Sequence, residues 1–135
     1  SMSILYIDDD EEDREIFKEA LQAIDPSIIC NVVSDGRQGL NALEELVVVP
    51  DFIFVDVNMP VMNGKQFLKE LKKTIRLRTI PVIMYSTTSQ PQEIQEYTKL
   101  GASDFLIKPS SFKKVCEALS NVIERKEKTQ NSRLF

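Results

Sequence analysis

Apolar residues along this chain fall into two kinds of pattern that alternate. Short runs rich in β-branched and aromatic residues are Ile4-Leu5-Tyr6-Ile7, Ile28 to Val33, Phe52-Ile53-Phe54-Val55, Pro81-Val82-Ile83-Met84-Tyr85 and Asp104 to Ile107. They are too short for helices and read as buried strands. Between them, apolar positions recur every three or four residues, the helical period. Ile16, Phe17, Ala20, Leu21 and Ile24 form one stripe, closed by Pro26, and Leu40, Leu43, Leu46 and Val47 a second. Phe67, Leu68 and Leu71 follow Gly64, and Ile94 and Tyr97 lie between Pro91 and Gly101. Phe112, Val115, Cys116, Leu119, Val122 and Ile123 make the last stripe. Asp35-Gly36-Arg37-Gln38 has capping-box spacing, and Pro91 suits the first turn of a helix. The polar end from Glu124 to Phe135 is expected to fray.

Strand and helix therefore alternate five times, without repeat or linker. Such spacing predicts right-handed crossovers and a parallel sheet covered on both faces, a doubly wound α/β domain. Any functional site is then expected at the carboxyl ends of the strands.

Those ends carry an unusual set of side chains. The first strand ends in Asp8 and Asp9, which begin a run of six acids to Asp13. Helix physics accounts for Asp10 to Asp13, because acids cap free N–H groups and complement the macrodipole at a helix N-terminus. Asp8 and Asp9 stand at the strand end itself. The third strand delivers Asp56 just before a turn marked by Pro60 and Asn63-Gly64; the fourth delivers Ser86 and the fifth Lys108. Taken singly, each has a bland reading: a cap, a first loop residue, turn chemistry at Ser86-Thr87-Thr88-Ser89, a snorkelling lysine. Together they describe a crevice of three carboxylates. Their repulsion is relieved by a divalent cation, and an incomplete set of hard oxygen ligands favours Mg²⁺. Such a site suits a phosphoryl group, with Asp56 as nucleophile and Lys108 and Ser86 on the oxygens that the metal leaves free.

Composition narrows the chemistry. With 135 residues there is room for one core, expected over residues 3–127 with a polar tail at 128–135. A net charge of −4 speaks against nucleic acid as a direct partner. The absence of histidine removes Ser/His and Cys/His catalysis and the common zinc sets. Cys30 and Cys116 lie in apolar segments and read as buried reduced thiols. No stretch has signal-peptide or membrane-spanning character, so a cytoplasmic location is expected; Ser1 ahead of Met2 reads as a cloning remnant.

These residues resemble the receiver domains of bacterial two-component response regulators, the stand-alone chemotaxis-regulator type. The resemblance covers about Ser3 to Glu127. It rests on Leu5-Tyr6-Ile7-Asp8-Asp9, on Asp56 with the D-x-x-M-P-x-M-x-G spacing to Gly64, on Pro81 to Ser86, and on Gly101 to Pro109. It implies a five-stranded (βα)5 sheet of order 2-1-3-4-5. It implies that Asp56 accepts a phosphoryl group from a sensor histidine kinase or a histidine phosphotransfer protein. Asp8, Asp9, Asp56 and the main-chain carbonyl of Asn58 would bind Mg²⁺, Ser86 and Lys108 would hold phosphoryl oxygens, and a cis Lys108-Pro109 bond would aim the lysine. Phe105 would turn inward as Ser86 moves. The protein would be a signalling switch rather than an enzyme, acting through protein contacts or a phosphorelay, since about eight residues beyond Glu127 form no output domain. One departure is Thr87, where the family has a small residue; it predicts slower phosphoryl exchange than in a Thr87→Ala variant.

Three other readings share parts of the pattern. A flavodoxin-like nucleotide binder calls for a phosphate loop where this chain has six acids. An aspartyl phosphohydrolase calls for an acid at Asn58. The third is a receiver-like docking module that is not phosphorylated.

Overall fold

The computed structural model describes residues 2–59, 61–87 and 90–134, with side chains up to residue 126. Five parallel strands, β1 (Ser3–Ile7), β2 (Ile29–Val33), β3 (Phe52–Asp56), β4 (Val82–Ser86) and β5 (Asp104–Ile107), form one sheet of order β2-β1-β3-β4-β5. Helices α1 (Glu11–Ile24), α2 (Gly36–Glu45), α3 (Gly64–Lys72), α4 (Pro91–Lys99) and α5 (Phe112–Leu134) connect or follow them. The doubly wound reading and the strand order both hold.

Alternation along the strands divides the core into two layers. Leu5, Ile7, Ile53, Val55, Val82 and Met84 pack with residues of α2, α3 and α4. Ile4, Tyr6, Phe52, Phe54, Ile83 and Tyr85 pack with α1 and α5. The second layer is aromatic: Tyr6 stacks on Phe17 with centroids 4.0 Å apart, and Tyr85 meets Tyr6, Phe17 and Phe54 edge-on. All five residues of β3 are buried, as expected for the central strand.

Local chemistry sets the helix ends. Asp10 caps α1 by accepting from the N–H groups of Glu12 and Asp13. Asn63 and Gln66 form a full capping box on α3. The capping box expected at Asp35 is only half made: Asp35 accepts from Gln38 N, but the Gln38 side chain accepts from Ser34 instead. Gly101 ends α4 with φ +103°, a conformation glycine takes without strain. Gly64 is required for a different reason, since a Cβ there would stand 2.8 Å from Met84 Cε and 3.3 Å from the Val57 backbone.

Several expectations need correction. Val47 is not inward but 95% exposed, because α2 has already ended at Glu45. Ile94 and Phe112 are also exposed, which leaves Tyr97 as the buried anchor of α4 and Val115 as the first of α5. Cys30 and Cys116 are free but half-buried. Helix α5 continues to Leu134 through the segment expected to fray, where strong helix formers occur without Gly or Pro. The Lys108-Pro109 bond is trans, there being no cis peptide among the described residues. Trans is the X–Pro default by about 0.5–1 kcal/mol, and from it Lys108 already reaches its carboxylates. Pro60 and the Thr88-Ser89 end of the hydroxyl cluster lie outside the described residues.

Candidate phosphoryl and metal site

Strand alternation decides which side chains meet. Asp8 continues the face of Ile4 and Tyr6, Asp56 that of Phe52 and Phe54, and Lys108 that of Leu106. All three therefore emerge on the layer packed by α1 and α5. The registers Ile7↔Val55, Asp56↔Tyr85 and Ser86↔Ile107 bring the ends of β1, β3, β4 and β5 level. One ligand oxygen each from Asp8, Asp9 and Asp56 lies within 4.8 Å of the others. Asp8 is fully buried and Asp56 is 8% exposed, while Asp9 faces solvent.

Asp8 is the most restrained of the three. Its Oδ1 accepts from Asp10 N at 2.9 Å, its Oδ2 accepts from Lys108 Nζ at 2.7 Å, and the buried Tyr6 hydroxyl donates to the same Oδ2. Its main chain is tied as well, with N donating to Val33 O at 3.1 Å and O accepting from Arg14 Nη1 at 2.8 Å. Burial, the adjacent Asp8 charge and the hydrogen bond to it hold the Tyr6 phenol protonated, far above its ordinary range.

Asp56 has less support. Burial and the nearby Asp8 raise its pKa to about 7; Lys108 and the main-chain N–H of Asn58 pull the other way, and Asp9 adds a little to the rise. Lys108 Nζ lies 3.5 Å from Asp56 Oδ1, farther than from Asp8. Burial alone would lower the Lys108 pKa, but its hydrogen bonds to Asp8 and Asp13 outweigh that and hold it above the usual lysine value. Among the described residues the carboxylates thus outnumber the one ammonium that pairs with them. An all-oxygen, partly open, electron-rich set of this kind fits a hard divalent cation such as Mg²⁺ and disfavours soft metals.

Ser86 ends β4 one residue beyond Tyr85, the register partner of Asp56, and its carbonyl accepts from Lys108 N at 2.6 Å. It is buried, and Thr87 beside it is exposed. The Asn58 side chain faces solvent. Phe105 lies outside the carboxylate cluster, half-buried on the opposite layer with its ring 5.9 Å from that of Tyr97. Sequence reasoning set aside Asp13 as dipole chemistry and took Tyr6 as a strand residue, yet Asp13 Oδ2 accepts from Lys108 at 2.9 Å. The alternation of β1 was the available signal, since it turns Tyr6 and Asp8 toward α1, whose first turn carries Asp13.

Comparison with known proteins identifies the family and the fold. Residues 4–120 match the family described as the response regulator receiver domain. A solved structure of the chemotaxis response regulator CheY4 of Vibrio cholerae superimposes with a TM-score of 0.78 at 30% identity, covering 90% of this chain and 98% of that one. The chain is 28% identical over 130 residues to a protein-glutamate methylesterase/protein-glutamine glutaminase of Methanococcoides burtonii, and 28% identical over 127 residues to the sensor histidine kinase CheAY of Helicobacter pylori. It matches 95% and 94% of its own length there, but only 36% and 15% of theirs.

Proposed function

The chain belongs to the response regulator receiver domain family, and we propose that it is a phosphoacceptor switch whose acceptor is Asp56. The observation that carries this reading is the crowding of Asp8, Asp9 and Asp56, two of which, Asp8 and Asp56, share the largely covered Lys108, at the level of the sheet where Ser86 also ends. A carboxylate whose pKa is raised by burial and like charge is held in a state that neutralisation favours.

Asp8, Asp9, Asp56 and the main-chain carbonyl of Asn58 are the ligands for Mg²⁺, which supplies positive charge for the incoming phosphoryl oxygens. An Asp56 carboxylate oxygen forms the new P–O bond as the P–N bond to a donor phosphohistidine breaks; the imidazole nitrogen leaves with the electron pair and takes a proton from solvent. Lys108 turns its ammonium toward one phosphoryl oxygen, and the Ser86 hydroxyl donates to another. Phe105, beside Tyr97, follows Ser86 and changes the face of α4, β5 and α5. The donor is a sensor histidine kinase or a histidine phosphotransfer protein, and the output is a protein contact or a further phosphotransfer step. The signalling unit is residues 3–127, and it works as a switch rather than as an enzyme on external substrates.

Intact mass measured after incubation with Mg²⁺ and acetyl phosphate tests this. One added phosphoryl group is expected, lost on chelation and absent in Asp56→Asn; an unmodified mass in the unaltered protein overturns the assignment.

A further inference from the structure

An ammonium group has three hydrogens to donate. Lys108 spends two of them on Asp8 Oδ2 at 2.7 Å and Asp13 Oδ2 at 2.9 Å, while Asp56 Oδ1 stands off at 3.5 Å. The lysine side chain is 10% exposed, so water contributes little to its solvation and each carboxylate partner matters. The two close partners are not equivalent. Asp8 is buried and further held by Tyr6 and by Asp10 N, so separating it from Lys108 leaves a charge with no route to water. The Asp13 side chain is 33% exposed on the first turn of α1, so water replaces the lysine there at small cost. Asp13 is therefore the partner Lys108 can exchange.

We propose that Asp13 is a tether: it holds Lys108 in the unphosphorylated chain and gives it up when Asp56 carries a phosphoryl group. The proposal rests on the phosphoacceptor reading and adds a positioning residue to it. Asp13 competes with the phosphoryl oxygens for one ammonium group, so it sets how readily the phosphorylated state forms. It also links the reaction to α1, because release unties the first turn of that helix from the segment following β5. Arg14, the next residue, contacts the carbonyl of Asp8 at 2.8 Å, and Asp10 N donates to Asp8 Oδ1, so the start of α1 stays fastened to Asp8 when the Asp13 contact is released.

Asp13→Asn removes the competitor and keeps the shape. Glu12→Gln is the matched control, since it removes the same charge from the same turn at an exposed position that does not touch Lys108. The probe is beryllium trifluoride with Mg²⁺, a tetrahedral mimic of a phosphoryl group on a carboxylate, titrated against each protein by NMR. Asp13→Asn is expected to bind it roughly two- to tenfold more tightly than the unaltered chain, the scale of a partly exposed ion pair, with Glu12→Gln close to unaltered. Equal behaviour of the two variants overturns the tether while leaving the acceptor assignment in place. Failure of the unaltered chain to bind the mimic overturns both.

A second readout needs neither metal nor phosphoryl mimic. Urea unfolding of Asp13→Asn, Lys108→Gln and the double variant should show coupling equivalent to roughly two- to tenfold in the folding constant. Additive effects contradict the tether even where the mimic binds.

Discussion

Asp51 and Asp56 flank the same strand, five residues apart, and they live in opposite conditions. Asp51, at the amino end of β3, accepts from Ser3 N at 2.8 Å and pairs with Lys126 at 3.1 Å, and Lys126 also lies over the Phe52 ring. It has one cation of its own and a backbone donor, and among the described residues no other acid pairs with that lysine. Asp56, at the carboxyl end, shares one lysine with Asp8 and Asp13 and has Asp9 close by. The first is a joint that fastens α5 and the start of β1 to the start of β3. The second stores electrostatic tension that a cation or a phosphoryl group can release. In a parallel sheet all strands deliver their following loops at the same end, so crowding of this kind can arise there, and the amino end is free to be closed for stability.

Removing each acid should therefore have opposite consequences. Asp56→Asn abolishes phosphoryl uptake and yet stabilises the metal-free protein, on the order of 1–3 kcal/mol at pH 8 in urea unfolding. The pH dependence fixes the sign. Asp56 titrates near 7 when folded and near its ordinary 3.8 when unfolded, so between those values the folded chain binds more protons and loses stability as pH rises. The penalty is complete above about 7, and the advantage of the Asn variant should shrink from pH 8 toward pH 5. A gain that is flat with pH would remove the tension from the comparison.

Tyr6→Phe sharpens the same contrast, because it leaves the buried Asp8 with one donor fewer. A loss of about 1–3 kcal/mol is expected, as for a hydrogen bond to a charged buried acceptor, together with weaker Mg²⁺ binding by calorimetry. Asp51→Asn should cost less, about 0.5–1.5 kcal/mol for a partly exposed ion pair with one backbone contact, and leave phosphoryl uptake unchanged. Any loss of uptake there would mean that the two ends are coupled. The smallest effect is expected at Thr87→Ala: stability within error, because Thr87 is exposed, but phosphorylation by acetyl phosphate and loss of the phosphoryl group each faster by a few-fold. Identical time courses would show that the branched side chain does not obstruct the site.

The fold was legible because its signals are periodic. Five apolar runs with helical stripes between them place every strand within one residue of its position. Where the reading failed, the cause was local. Val47 continues the apolar spacing of α2, but the helix stops first, and a stripe says nothing about where its helix ends. Phe112 and Ile94 fit a helical register that the neighbouring elements do not cover. In the site, single residues at strand ends were legible because topology alone brings them together. Asp13 was not, because an acid in a first helical turn has a sufficient explanation in the macrodipole. Its second role exists only once α1 is laid across the ends of β1 and β5. Tyr6 was hidden in the same way, as an aromatic whose ring belongs to the core and whose hydroxyl belongs to the site.

Chemical trapping goes furthest toward deciding whether the carboxyl-end acid is the acceptor. The protein is incubated with Mg²⁺ and acetyl phosphate, then treated with sodium borohydride, which reduces an acyl phosphate to the alcohol and so turns a phosphorylated aspartate into homoserine. Peptide sequencing by mass spectrometry should find homoserine at position 56, and aspartate intact at 8, 9, 13 and 51. Homoserine at any of those four, or at none of the acids, would show that the crowding around Asp56 serves something other than phosphoryl acceptance.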